Sequence, residues 1–156
     1  MNDIHKRVDL IRKWLKEKEL DAIIIPHEDE YLSEYIPPEN ERLAWITGFT
    51  GSAGLAIITQ DKAAIFVDGR YTVQVREQVD SSLYTILHIS KDPYLKWLKT
   101  ILNSNAHVGY DSRLQRANWK INTEKILADN ITLIPIDKNP IDLFWDDRPS
   151  GNMDMA

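Results

Sequence analysis

Apolar residues change their spacing several times along the chain, and each change marks an element. Ile4, Val8, Ile11 and Leu15 recur every three or four residues and predict a helix that ends near Lys18 or Glu19. Lys6, Arg7, Arg12, Lys13, Lys16 and Lys18 occupy the rest of that helix and read as a solvated basic face. The run Ala22-Ile-Ile-Ile-Pro26 is too short for a helix, so Asp21 to Pro26 predicts a fully buried strand that Pro26 stops. Pro37-Pro38 breaks the chain, and a short helix is expected from Glu39 to Trp45. Leu55–Thr59 and Ala63–Val67 are two β-favouring runs around the polar turn Gln60–Lys62, which is the pattern of a hairpin. Tyr71, Val75 and Val79 return to helical spacing over Arg70–Val79, and Leu83–Ile89 suits a strand with Tyr84, Ile86 and His88 on one face.

The second half alternates more regularly. Asp92-Pro93 starts a helix with an acidic cap and a proline in the first turn, and Leu95, Leu98, Ile101 and Leu102 form its apolar stripe. A strand over Ala106–Asp111, a helix around Ala117–Ala128 and a strand over Ile131–Ile136 follow. Such alternation implies parallel pairing, whereas the central hairpin must be antiparallel. The fold class is therefore α/β, with a mixed sheet, a central antiparallel hairpin and flanking helices. Residues 1–138 read as one domain, and 139–156 as a linker or extended arm rather than core.

Composition narrows the function classes. A hydrophobic fraction of 43% with five Trp and six Tyr fits a folded domain. The net charge is −5 with both signs interspersed, so no basic arm is available for a nucleic acid or an anionic membrane. There is no cysteine, which excludes disulfides, thiolate nucleophiles and zinc–thiolate sites and fits a reducing compartment. The N-terminus lacks an apolar signal core, and no apolar run approaches the roughly 20 residues that span a bilayer. A soluble, cytoplasmic protein is expected.

Candidate chemistry gathers at two places. Gly48, Gly51 and Gly54 fall within seven positions, and Asp68-Gly69 follows the second hairpin strand, opening onto Arg70 and Tyr71. Glycines at that density mean tight turns flanking the hairpin, or loops at one sheet edge facing another domain or subunit. His27-Glu-Asp-Glu-Tyr-Leu-Ser-Glu-Tyr35 follows the first strand and offers a histidine with four acids, either a cation site or an ordinary acidic surface. Ser52 sits in Gly-Ser-Ala-Gly, which is not a nucleophile elbow, and no Lys-Ser/Thr follows to make a P-loop. Asp29, Asp68 and Asp111 all fall near strand ends and could in principle hold two Mg²⁺ for phosphodiester cleavage, but the chain carries no basic stripe for a polyanion.

Five ordered motifs carry a resemblance. Arg42-Leu-Ala-Trp-Ile-Thr-Gly-Phe-Thr-Gly-Ser-Ala-Gly54 and Asp68-Gly-Arg-Tyr-Thr-Val-Gln74 resemble the N-terminal domain of Xaa-Pro aminopeptidases (aminopeptidase P), of the creatinase/prolidase N-terminal class. Ile25 to Tyr35, Val108-Gly-Tyr-Asp111 and Asn139-Pro-Ile-Asp-Leu-Phe-Trp-Asp-Asp-Arg-Pro149 extend it over nearly the whole chain. Tyr31 stands where the family usually has a histidine, so that histidine's role does not carry over. The resemblance implies a ribonuclease-H-like fold and a metallopeptidase that releases the residue before proline. Two divalent ions, commonly Mn²⁺, would activate water in a catalytic domain to which no residue of this chain corresponds; no catalytic or metal-binding residue is carried over. It also implies that this chain is a piece ending at a domain junction, with its own catalytic domain and a second subunit as partners and N-terminal Xaa-Pro peptides as substrate. The cleft or interface candidates are Phe49, Gly51, Ser52, Arg70, Tyr71, His27 and Asp29, with Phe49 as an apolar wall and Arg70 as a carboxylate partner. Two plainer roles compete: Phe49 as a core aromatic, and Arg70 paired with Asp68 or Glu77. A stand-alone peptide- or protein-binding module without peptidase activity is the alternative function.

Overall fold

The run of isoleucines at 23–25 lies at the centre of the molecule because both faces of its strand are covered. A computed structural model describes residues 3–26, 41–51, 54–89, 91, 93–102, 105–114, 118–127 and 131–145. Its elements are α1 (Asp3–Glu17), β1 (Ala22–Pro26), α2 (Arg42–Thr47), β2 (Gly54–Thr59), β3 (Ala63–Val67), α3 (Thr72–Gln78), β4 (Thr85–His88), α4 (Tyr94–Ile101), β5 (Ala106–Tyr110), α5 (Trp119–Leu127), β6 (Ile131–Pro135) and α6 (Pro140–Phe144). The strands form one six-stranded sheet in the order β4-β3-β2-β1-β5-β6. Pairing is antiparallel at β1–β2 and β2–β3 and parallel at β3–β4, β1–β5 and β5–β6, so β2 alone runs against the rest. The mixed sheet with a central antiparallel hairpin is the architecture that the residue pattern predicts.

Alternation along the inner strands divides the core into two layers. Ile23, Ile25, Ala56, Ile58, Ile65 and Val67 face α1, α2, α3 and α6, where Val8, Ile11, Leu15, Leu43, Ile46, Val75 and Ile141 meet them. Ile24, Leu55, Ile57, Ala64, Phe66, Val108, Tyr110 and Leu133 face Leu98 of α4 and Leu127 of α5 on the other side. Each fully buried aliphatic side chain contributes about 1.5–3 kcal/mol relative to exposure, so the two layers are the principal favourable term of the fold. Among the described residues no helix is long and apolar enough to cross a membrane.

Several expectations shift. The basic face of α1 is not uniformly solvated: Arg7 Nη1 donates to the Trp45 carbonyl at 2.7 Å with its guanidinium 4.7 Å from that indole, and Arg12 Nε donates to the Thr59 carbonyl at 3.1 Å. Long stems let both arginines lie along the domain while their charged heads reach carbonyls. Pro93 occupies the N-cap of α4 rather than its first turn; Asp92, read as the cap, lies outside the described residues, as does the start of the helix expected from Glu39. Helix α3 is preceded by a single 3₁₀ turn at Gly69–Tyr71.

The largest difference is at residues 139–145, where composition suggested an arm. They are core. Asn139 is buried and caps α6 by accepting from the Ile141 N–H at 2.9 Å, while its side-chain amide donates to the buried Asp111 carboxylate at 3.1 Å. Pro140 follows in the first turn, where its missing N–H is harmless. Ile141 is fully buried, and Trp145 stacks on Trp45 with ring centroids 6.1 Å apart. Asp142 takes a two-point ion pair from Arg42: Nε to Oδ1 at 2.8 Å and Nη2 to Oδ2 at 3.1 Å.

Two outcomes follow. Ile141→Ala is expected to cost about 2–5 kcal/mol in urea unfolding, whereas Leu143→Ala, at a position 51% exposed, should change stability by no more than about 0.5 kcal/mol. Asp80 is lowered from 3.8 to about 2, chiefly by its hydrogen bond with His5 Nε2 and then by those from Ser82. A depressed carboxylate stabilises the fold above its unfolded-state value and loses that contribution as pH falls through the folded one. Stability of the wild type should therefore fall more steeply than that of Asp80→Asn between about pH 4 and pH 2, as read from thermal midpoints at each pH.

Candidate functional site

The glycine loop begins where α2 runs out of helical hydrogen bonds. Gly48 adopts φ 88° and its N–H returns to the Ala44 carbonyl at 2.8 Å, a left-handed helix end that a side chain would strain. A Cβ at Gly48 would also lie only 3.0 Å from the Gln78 carbonyl oxygen. Thr47 completes the turn from within: its hydroxyl donates to the Leu43 carbonyl at 2.7 Å and accepts from the Phe49 N–H at 3.0 Å.

Phe49 then turns inward. Its ring has no exposed surface and meets Tyr71 edge-on, with centroids 5.6 Å apart and planes at 80°. The loop closes directly over that ring, and this explains the next two glycines. A Cβ at Gly51 would stand 2.2 Å from Phe49 Cζ, and one at Gly54 would stand 3.1 Å from Phe49 Cε2. The apolar wall expected at Phe49 is thus a buried support beneath the loop, and the plainer reading of it as a core aromatic describes its position.

Outside the ring the surface is polar. The Thr50 N–H donates to Gln78 Oε1 at 3.0 Å, and Gln78 Nε2 donates back to Thr50 Oγ1 at 2.9 Å. Gln74 Nε2 reaches Thr50 Oγ1 and Gln78 Oε1, each at 3.2 Å. This amide clasp between the loop and α3 was not singled out from the sequence, although the four-residue spacing of Gln74 and Gln78 after Arg70 puts both on one helix face.

The turn after β3 completes the site. Asp68 Oδ1 accepts from the Arg70 N–H at 2.9 Å and from Arg70 Nε at 3.1 Å. Those bonds, the backbone one first, hold the Asp68 carboxyl below its ordinary value. Arg70 remains 70% exposed, with its guanidinium 5.4 Å from the Tyr71 ring. Tyr71 therefore joins the buried Phe49 to the exposed Arg70. At Gly69 the turn passes His88, and a Cβ there would lie 2.8 Å from Nε2 and displace that ring.

Phe49, Gly51, Arg70 and Tyr71 are brought together; His27, Asp29 and Ser52 lie outside the described residues. Asp68 and Asp111 follow β3 and β5, strands separated by β2 and β1, so their backbones stand about 14 Å apart across the sheet, too far to share a metal pair. Asp111 is also buried against Asn139. Among the described residues no group of three His, Asp or Glu could hold a metal ion.

A double-mutant cycle tests the packing of Phe49. Phe49→Ala should cost about 3–5 kcal/mol and Gly51→Ala about 1–3 kcal/mol, yet Gly51→Ala should cost far less in the Phe49→Ala background, because the ring it strikes is gone. Additive losses in urea unfolding would refute that account. Arg70→Ala should leave the unfolding midpoint almost unchanged.

Comparison with known proteins agrees with this geometry. Residues 7–142 match the Creatinase/Prolidase N-terminal domain family. Xaa-Pro aminopeptidase 2 of Homo sapiens is 37% identical over 141 residues, covering 89% of this chain and 21% of that protein. A probable Xaa-Pro aminopeptidase P of Pyrenophora teres f. teres is 38% identical over 152 residues, covering 95% of this chain and 23% of that protein. The chain thus spans less than a quarter of these two relatives. Among solved structures, X-prolyl aminopeptidase of Caenorhabditis elegans, described as a cytosolic enzyme with a di-nuclear active site, superimposes with a TM-score of 0.86 at 26% identity, covering 94% of this chain and 26% of that one. An isolated N-terminal domain from Corynebacterium diphtheriae shares the fold with a TM-score of 0.65 at 23% identity, over 87% of this chain and 97% of that domain. The chain belongs to the creatinase/prolidase N-terminal domain family.

Proposed function

We propose that this chain is the non-catalytic N-terminal domain of a cytoplasmic Xaa-Pro aminopeptidase, a metallopeptidase that removes the residue preceding proline. Its part is to support a dimer and to wall the substrate cleft, so that a free, short N-terminal peptide enters. The observation that carries this reading is the match to Xaa-Pro aminopeptidases over about nine-tenths of the chain, combined with a pre-formed loop between α2 and β2. The di-nuclear centre described for the relative would belong to the part of those enzymes that this chain does not span. Two divalent ions, Mn²⁺ in this proposal, would supply an activated water there.

Within this domain the surface groups suit contact rather than reaction. Thr50, Gln74 and Gln78 offer hydrogen-bonding groups in fixed positions, and Arg70 presents a guanidinium that can accept a carboxylate partner while Asp68 holds its base. None of these groups is a nucleophile. The Phe49 ring stiffens the loop from below.

The decisive assay is cleavage of Arg-Pro-Pro with added Mn²⁺, run on this chain and on the full-length product of the same reading frame. Activity only in the longer protein is expected. In that protein, Arg70→Ala should raise KM with little change in thermal midpoint; an unchanged KM would remove Arg70 from the cleft. Activity in the 156-residue chain itself would overturn the accessory role. Inactivity of both proteins would favour a binding module instead.

A further inference from the structure

Among the described residues Arg42 is the largest fully buried side chain, and it stands at the start of the helix that ends in the glycine loop. Its ion-pair partner, Asp142, lies 100 residues away on α6, the last described element. One turn further along α2, Trp45 stacks on Trp145, and Arg7 covers Trp45. Helix α2 is therefore held to α6 at two levels, one ionic and one aromatic. Beyond Trp45 the same helix delivers three consecutive amides, Gly48, Phe49 and Thr50, each with its own acceptor: the Ala44 carbonyl, Thr47 Oγ1 and Gln78 Oε1.

From this arrangement we infer that Arg42 and Asp142 are positioning residues: they fix α2, and through it the loop at 48–51, relative to α6. The geometry has the properties such a link needs. A planar guanidinium gripping both carboxylate oxygens sets direction as well as distance, which an apolar contact does not. Helix α2 is only six residues long, so a tilt at Arg42 is not absorbed before Gly48. The acceptors of Phe49 and Thr50 sit on different elements, α2 and α3, so a small rotation of α2 would break their alignment. The importance of the link for catalysis rests on the proposed cleft role, because only there does the loop's place relative to whatever follows α6 matter. The coupling itself does not depend on that reading.

The test compares Asp142→Asn, which keeps shape and removes the charge, with Leu98→Ala, which weakens the core on the opposite layer. Amide hydrogen exchange is followed at Gly48, Phe49 and Thr50 in the 156-residue chain, at temperatures where the two variants have equal global stability. If the pair positions the loop, these three amides exchange about tenfold faster or more in Asp142→Asn than in Leu98→Ala. Equal exchange in both variants would overturn the proposal, since the pair would then be a stabilising contact like any other. Should Asp142→Asn fail to fold, Trp145→Ala removes the aromatic level without stranding a charge; faster loop exchange supports the link and unchanged exchange refutes it. In the full-length protein the same substitutions should raise KM for Xaa-Pro peptides with kcat little changed. Faster loop exchange with KM unmoved would leave the coupling intact and count against the cleft role instead.

Discussion

A guanidinium stays charged wherever it is placed, so burying one commits the fold to surrounding it with acceptors. Arg42 is 1% exposed, and the carboxylate that answers it comes from the far end of the described chain. Removing Asp142 takes a two-point, charge-assisted partner from a fully buried guanidinium, whereas Asp142 itself is 23% exposed and reaches water. Helix α6 has five residues and could not persist alone. It exists because Ile141 finds the core, Asn139 caps it, and Arg42 grips Asp142. Apolar burial supplies most of the docking energy, whereas the ion pair supplies the orientation. The N-terminal layer and the C-terminal helix thus depend on each other.

Much of the fold was legible because its elements obey their periods. The isoleucine run of β1, the hairpin and the stripes of α1 and α4 needed only spacing, and the two-layer core follows from alternation along strands covered on both sides. Helix α6 was not legible in the same way. One turn has no period to detect, and prolines at 140 and 149 with neighbouring acids resemble a linker in composition. A local signal was nevertheless present: Asn139-Pro140 is a capping residue followed by the proline that helix starts favour. The destinations of Arg7, Arg12 and Arg42 could not be read at all, since each depends on a carbonyl or carboxylate brought near only by the completed sheet. Residue type argues the wrong way there, because arginine is usually exposed.

The site shows the same division. Three closely spaced glycines signalled tight turns, and the groups they pass are internal: the Gln78 carbonyl at Gly48 and the Phe49 ring at Gly51 and Gly54. Sequence can reveal that a Cβ would clash without naming what it would meet. Arg70 was legible as an exposed cation with Asp68 as its alternative partner, and that pairing is present. The glutamines of α3 were passed over because uncharged amides carry no chemical signature until a loop comes to rest on them.

Stiffness is what these contacts have in common. The loop's three amides are satisfied within the domain, its glycines rest on a fully buried ring, and its outer hydroxyl is held by two glutamines. A surface so constrained loses little conformational freedom when a peptide or a second subunit meets it. It can also discriminate by exclusion, since a rigid boundary rejects chains that do not fit instead of adapting to them. In the proposed enzyme this would make the domain a determinant of which peptides reach the metal centre, acting on binding and leaving bond cleavage to groups elsewhere. A wall of that kind requires no reactive residue, only a fixed place, and the pairing of the buried Arg42 with Asp142 is the feature best suited to fixing it.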